Sequence, residues 1–139
     1  MIQRIQSIWL LVAALCAALT YKFSFYSGNK TGEANIQEFE KLVASSNFLL
    51  VISTAVLTAG CLIIIFLYKN RKQQVWLTVA VAALSVINLI IYFTEIKKFA
   101  SGTFSLTAVF ALAVPVLLIL AARGIWKDEK LVKSLDRLR

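Results

Sequence analysis

The sequence predicts an all-α, polytopic membrane protein: a four-helix bundle with a cytoplasmic amphipathic C-terminal helix. The first observation is four uncharged, strongly apolar stretches, at residues 5–21, 42–68, 73–94 and 99–122 of a 139-residue chain. A helix needs about 20 apolar residues to cross the ~30 Å hydrocarbon core of a bilayer. The second is that these stretches are continuously apolar rather than alternating. Because a span must satisfy its own backbone in lipid, this pattern favours helices over a barrel.

The four stretches predict spans at about residues 5–23, 47–68, 75–94 and 104–122, followed by a cytoplasmic tail at 123–139. Aromatic side chains stand near the ends of the spans, as expected at membrane–water boundaries. Four crossings use most of the chain and leave too few residues for a soluble domain with its own core. The whole chain, 1–139, is therefore expected to form one membrane domain.

The first loop contains two local signals. Residues 27–29, Ser-Gly-Asn, are typical of a turn. Within residues 33–43, the side chains of Ile36, Phe39 and Val43 recur at helical spacing. This segment is expected to form a short helix on the membrane surface or the beginning of the second span, and the pattern leaves both open. In the third loop, residues 101–102, Ser-Gly, are a further turn signal.

The tail is the most patterned polar segment. Leu131, Leu135 and Leu138 recur at i, i+4 and i+7, which predicts an amphipathic helix. Lys130, Lys133 and Arg137 fall on roughly the opposite side. This helix either continues the fourth span into the cytoplasm or bends along the inner leaflet. Together with Arg4 at the other end of the chain, these three basic side chains are the candidate contacts for lipid headgroups or for a partner.

The distribution of basic residues predicts the orientation. Ten of the fifteen Lys and Arg residues lie in the N-terminal stub, the second loop and the tail, and five lie in the first and third loops. Short cytoplasmic loops carry the excess of Lys and Arg. We therefore expect both termini in the cytoplasm. The formal charge of +8 belongs to these membrane-flanking positions, so it does not indicate nucleic-acid binding.

The spans contain little catalytic chemistry. The sequence has no His, and none of the four apolar stretches contains Asp or Glu. Proton-coupled transporters generally keep an ionisable group at mid-membrane, and most zinc and haem sites use His. Cys16 and Cys61 lie inside spans, where thiols usually act as small apolar groups. We expect no enzymatic activity, no cofactor and no metal ion.

Two residues inside the spans remain of interest. Asn88 lies well inside the third span, where it forms either an interhelical hydrogen bond or a candidate intramembrane polar site. Pro115 in the fourth span removes a helical hydrogen bond and is expected to kink that span.

Both ends of the chain resemble one known family. The opening residues 1–6, Met-Ile-Gln-Arg-Ile-Gln, and the closing residues 127–139, Lys-Asp-Glu-Lys-Leu-Val-Lys-Ser-Leu-Asp-Arg-Leu-Arg, are similar to the termini of Bacteroidota four-span proteins catalogued as domain of unknown function 4293. The resemblance implies an inner-membrane location and supplies no activity or site residues. On the predicted topology both motifs are cytoplasmic, so Gln3 and Arg4 are expected near the start of the tail helix, at 123–128.

The leading functional hypothesis is a bacterial inner-membrane protein that acts as a non-enzymatic scaffold or accessory subunit of a membrane complex. It would contact membrane lipid and another membrane or cytoplasmic protein through its basic tail. The alternative is a small transporter or lipid-handling protein with a polar pocket near Asn88. That alternative predicts a cavity open to one leaflet or to one side of the membrane.

Overall fold

The computed structural model describes residues 2–31, 37–67 and 70–136. Four helices, three strands and one short 3-10 turn are present in these ranges. In chain order they are α1 (Ile2–Leu19), β1 (Tyr26–Thr31), β2 (Gln37–Leu42), the 3-10 turn (Ala44–Ser46), α2 (Phe48–Phe66), α3 (Arg71–Ile96), β3 (Phe99–Phe104) and α4 (Ala108–Asp136).

Three of these helices are long and apolar enough to cross a membrane. The qualifying segments are Phe48–Phe66, Lys72–Ile96 and Ala108–Leu131, with 19, 25 and 24 residues. In α1 the apolar part, Ile5–Leu19, is shorter. The helical prediction for the apolar stretches is confirmed, and the three long helices indicate a membrane protein.

The helices pack in a closed order, because α1 contacts α2 and α4, and α3 contacts the same two helices. Their interior mixes small, apolar and polar side chains, including Ala13, Leu57, Thr78 and Ser85. Large apolar side chains cover much of the outside, among them Ile8, Leu62, Ile63, Val86, Ile90, Val116 and Ile119. Polar groups inside and large apolar groups outside are the arrangement expected when lipid is the solvent, because there small and polar contacts hold helices together.

The prediction of an all-α fold is confirmed only in part: the chain is mostly helical, but the two longer loops form a three-stranded antiparallel sheet in the order β2-β1-β3. Residues 37–42, predicted as part of a helix at 33–43, form β2; residues 32–36 lie outside the described ranges. The predicted turns at 27–29 and 101–102 lie within β1 and β3. Gly28 stands directly opposite Gly102 in the register. The pairing of β1 with β3 joins distant parts of the chain, so local periodicity could not reveal it.

The sheet covers one end of the helices, which we call the sheet end. Phe25, Tyr26 and Leu42 are buried there against Leu50 and Tyr92 of the helices. The opposite end carries the start of α1 and the end of α4, and we call it the termini end. Its position follows from the contact of Gln6 in α1 with Asp128 in α4.

Of the two predicted courses for the tail, the structure has the one in which it continues the fourth apolar helix, α4. The helix runs without interruption from Ala108 through Pro115 to Asp136, so the tail extends the fourth apolar helix. Its buried face at the termini end is formed by Ile125 and Asp128, whereas Leu131 is exposed. The side chain of Leu135 and all of Leu138 lie outside the described part of the chain.

Candidate functional site

Asn88 is buried between α2 and α3, only 7% exposed. The Ser53 hydroxyl donates to Asn88 Oδ1 over 2.8 Å, and Asn88 Nδ2 donates to Thr54 Oγ1 over 3.4 Å. Both partners belong to α2. The amide therefore joins the two helices with an acceptor and a donor, as one of the interpretations of its sequence position predicts.

Tyr92 lies one turn further along α3 and is fully buried. Its ring stacks on Phe25 with a centroid distance of 4.6 Å. Among the described residues the Tyr92 hydroxyl has no hydrogen-bond partner, although the hydroxyls of Thr20 and Thr54 lie near it. The Thr20 hydroxyl itself donates to the Ala17 carbonyl over 2.6 Å. We refer to Thr20, Ser53, Thr54, Ser85, Asn88 and Tyr92 as the polar core cluster.

A small cavity of about 10 Å³ borders this cluster. It is lined by two hydroxyl side chains, Thr20 and Ser85, by the amide of Asn88, and by the apolar residues Ala17, Leu57, Ala111 and Val114. This volume is about what one water molecule requires, and the polar lining can supply its hydrogen bonds. The cluster can therefore hold one water and bind helices together.

The polar core cluster offers hydroxyls and an amide, and it contains neither a carboxylate nor an imidazole. Within the described ranges, His, Cys, Asp and Glu form no group of three that could hold a metal ion. Cys61 is buried and Cys16 packs against the same core, and both are free thiols. The groups brought together here suit hydrogen bonding rather than proton transfer or covalent chemistry.

A second polar contact lies at the termini end. Gln6 Nε2 donates to Asp128 Oδ2 over 2.6 Å, and both side chains are buried, at 6% and 7% exposure. Gly124, one turn earlier on α4, leaves room for the glutamine, because a Cβ there would stand 3.0 Å from Gln6 Cγ. The contact fixes the beginning of α1 to α4. Sequence reasoning placed Gln3 and Arg4 near residues 123–128, and the described contact is made by Gln6, one turn further on.

Of the predicted contacts for headgroups or a partner, the structure describes the side chain of Lys130. It is exposed, and its Nζ stands 5.1 Å from the centroid of the Trp126 ring, within cation–π range. The side chains of Arg4 and Lys133, and all of Arg137, lie outside the described residues.

At the sheet end, the carboxylate of Glu95 contacts two polar side chains. Asn47 Nδ2 donates to Glu95 Oε1 over 2.8 Å, and Lys98 Nζ lies 2.7 Å from the same oxygen. Asn47 also caps α2, since its Oδ1 accepts from the Leu49 amide. The end of α3 is thereby joined to the beginning of α2. Sequence reasoning did not identify this contact.

Comparison with known families gives one match that covers almost the whole chain. The model described as "Domain of unknown function (DUF4293)" matches residues 2–138. Comparisons with curated proteins and with solved structures give no match. The family indicated by the two ends of the sequence is therefore confirmed.

Proposed function

Because the chain belongs to the DUF4293 family, a family of unknown function, we propose its role from the structure. The protein is a four-span protein of the bacterial inner membrane with both termini in the cytoplasm. It acts as a non-enzymatic scaffold or accessory subunit of a membrane complex. The basic end of α4 is its docking element.

The fourth crossing is assigned to α1. Its apolar part, Ile5–Leu19, spans about 22 Å at 1.5 Å per residue, which is less than the hydrocarbon thickness. The chain continues through Tyr21 and Phe23 to the buried Phe25 beneath the sheet. These aromatic residues suit the membrane boundary and support a complete crossing.

The observation that carries the proposal is the uninterrupted continuation of α4 beyond the uncharged stretch that ends at Ala122. The helix extends through Asp136, about 21 Å further at 1.5 Å per residue. The Gln6–Asp128 hydrogen bond holds this segment to α1. Arg123, Lys127 and Lys130 are exposed along it. A helix that is fixed at its base and basic on its surface suits an acidic protein surface.

The interior supports the scaffold role over the alternative of a transporter or lipid-handling protein. That alternative would use the polar core cluster around Asn88 as its pocket. The bordering cavity has room for about one water, whereas ligand pockets typically measure several hundred Å³. Asn88 already uses one N–H and its carbonyl oxygen in hydrogen bonds to α2. The cluster is better suited to cohesion between helices.

Site-specific photocrosslinking tests the proposal. A photoreactive amino acid replaces Lys130 in the full-length protein, which is expressed in its own host and irradiated in intact cells. We expect a discrete crosslinked product with a second protein. The matched control carries the same group at Lys97, which is exposed at the sheet end, and should not give that product.

Two further results decide the outcome. The product should disappear when Lys127 is changed to Glu in the Lys130-labelled protein, because the acidic partner would then be repelled. Absence of any protein product from position 130, or the same product from position 97, would contradict docking through α4.

A further inference from the structure

An apolar groove runs between α3 and α4 near the termini end. It has a volume of about 290 Å³ and is lined by Val75, Val79, Ala122, Arg123 and Trp126. Arg123 is the charged residue of this lining and immediately follows the uncharged stretch that ends at Ala122. The groove therefore begins at the level of lipid headgroups and extends toward the hydrocarbon region.

The rim of the groove is strongly basic. Helical spacing places Lys127 and Lys130 on the same face of α4 as Arg123, and Lys72 on the same face of α3 as Val75 and Val79. Lys72, Lys127 and Lys130 are exposed. Because α3 and α4 are antiparallel, Lys72 and Lys130 stand at about the same height.

Acidic groups offset this charge only in part. Asp128 points to the opposite side, where it accepts from Gln6. Glu129 is half-buried and already has an interaction partner. Four basic side chains thus face one carboxylate around the mouth of the groove, which favours an anion there.

We infer that this groove binds one anionic phospholipid from the leaflet at the termini end. The phosphate lies against the Arg123 guanidinium, which can form two parallel hydrogen bonds to phosphate oxygens. Lys72, Lys127 and Lys130 add positive charge around the headgroup. One acyl chain follows the apolar floor formed by Val75, Val79 and Ala122.

Trp126 makes this inference measurable, because its ring lines the groove and is 58% exposed. A variant with Trp9 and Trp76 changed to Phe keeps Trp126 as the sole tryptophan, since the chain has three. The protein is reconstituted into vesicles of phosphatidylglycerol and phosphatidylcholine. In matched vesicle sets, bromine is carried by one lipid or by the other, and quenching of Trp126 gives their relative occupancy of the groove.

We expect phosphatidylglycerol to be preferred over phosphatidylcholine by about fivefold at Trp126, as one well-placed cationic contact would give. Arg123→Gln should clearly lower this ratio, although the three lysines of the rim still attract the headgroup. Lys97→Gln, at the sheet end, should leave it unchanged. A protein that keeps Trp9 alone should show a weaker preference, because Trp9 lies on α1, away from the groove.

Equal quenching by the two lipids in the parent variant would overturn the inference, and so would an undiminished preference in Arg123→Gln. If the tryptophan substitutions impair folding, native mass spectrometry of the unaltered protein provides the same comparison. Retention of one phosphatidylglycerol but not phosphatidylcholine, reduced in Arg123→Gln, supports the site. Equal retention of both lipids rejects it. These results do not depend on whether α4 also docks a protein.

Discussion

At the termini end, the carboxylate of Asp128 is buried, with a neutral amide as its described donor. Gln6, 122 positions away in the sequence, supplies that donor over 2.6 Å. A buried acceptor that loses its partner carries a desolvation penalty, which is larger when the group is charged. The stability of the α1–α4 contact should therefore depend on this pair more than on the exposed charges around it.

Gln6→Ala should lower the free energy of unfolding by about 2 kcal/mol, because it leaves the Asp128 carboxylate buried without its amide donor. Asp128→Asn should cost less, since an amide in place of the carboxylate can still accept from Gln6. Denaturant titration of the purified protein in detergent micelles measures both changes.

A double variant measures the energy of the Gln6–Asp128 contact apart from the other effects of each substitution. The double variant Gln6→Ala, Asp128→Ala should lose less stability than the sum of the losses measured for Gln6→Ala and Asp128→Ala alone. The difference, which is the coupling energy of the pair, should be about 1 kcal/mol. Lys127→Gln, an exposed neighbour of Asp128, is the control and should stay within about 0.5 kcal/mol of the parent protein. Strict additivity of the two alanine substitutions would show that the contact contributes nothing of its own.

The sequence indicates some of these residues and not others. Asn88 is evident as an amide within an apolar stretch, and its partners in α2 are hydroxyl residues of another apolar stretch. Asp128 is different, because it stands among charged residues that look solvent-exposed from the sequence. Gly124, one turn before it, is the local signal, since a small residue in a helix often marks a close approach. Which side chain approaches could come only from the packing of α1 against α4.

Among the elements, the helices and the sheet differ in how far local sequence determines them. Each helix is evident from an apolar stretch of its own, so its existence is predictable. Only the positions of its ends differ from the prediction. Helix α3, for example, begins at Arg71 rather than at the edge of the predicted span at 75. The strands lack such a pattern: β1 and β3 contain Ser, Gly, Asn and Thr, which resemble turn residues. These segments are strands because each pairs with a neighbouring strand, and their composition alone would not indicate it.

The pairing of β1 with β3 requires two glycines. A Cβ at Gly102 would stand 2.6 Å from the Ser27 carbonyl oxygen and 2.8 Å from Gly28 Cα, which is closer than real contacts allow. Gly102→Val should therefore separate β3 from β1, with a loss of about 1 to 3 kcal/mol. Hydrogen–deuterium exchange of the β3 amides should accelerate strongly.

Ala100→Val is the matched control, because Ala100 lies in the same strand and its side chain is exposed. A β-branched residue at that position suits a strand, and exchange should remain slow. If Gly102→Val left the β3 amides as protected as in the parent protein, the close approach at Gly28 would not be what holds the sheet together.

Taken as a whole, the molecule places its polar side chains according to depth. Between the two ends, hydroxyl and amide side chains such as Thr54, Thr78 and Asn88 are buried, and large apolar side chains face outward. Charged groups collect at the ends: the Glu95–Lys98 pair at the sheet end, and Arg123, Lys127 and Lys130 at the termini end. This distribution follows the profile of a bilayer, with charge at the headgroups and hydrocarbon between them.

This distribution of charged and apolar residues was predictable from the sequence, because the charge and hydropathy of a segment can be read without knowing what it packs against. The order in which the helices pack was not predictable, since the apolar stretches are alike in composition. The sheet end was not predictable for the same reason as its strands: its core brings together Phe25, Leu42 and Tyr92 from three separate parts of the chain.

The two ends should lie on opposite sides of the membrane, with the termini end in the cytoplasm because it carries the larger number of basic residues. Lys97→Cys and Lys127→Cys place exposed thiols at the sheet end and the termini end, respectively. A membrane-impermeant maleimide should label Lys97→Cys in intact cells and Lys127→Cys only after permeabilisation. The parent protein is the control: Cys16 and Cys61 lie within the helical core and should remain unlabelled. Labelling of both substituted thiols from outside would contradict a membrane-spanning arrangement, and the reverse pattern would place the termini end, with its groove and the basic part of α4, on the outer face.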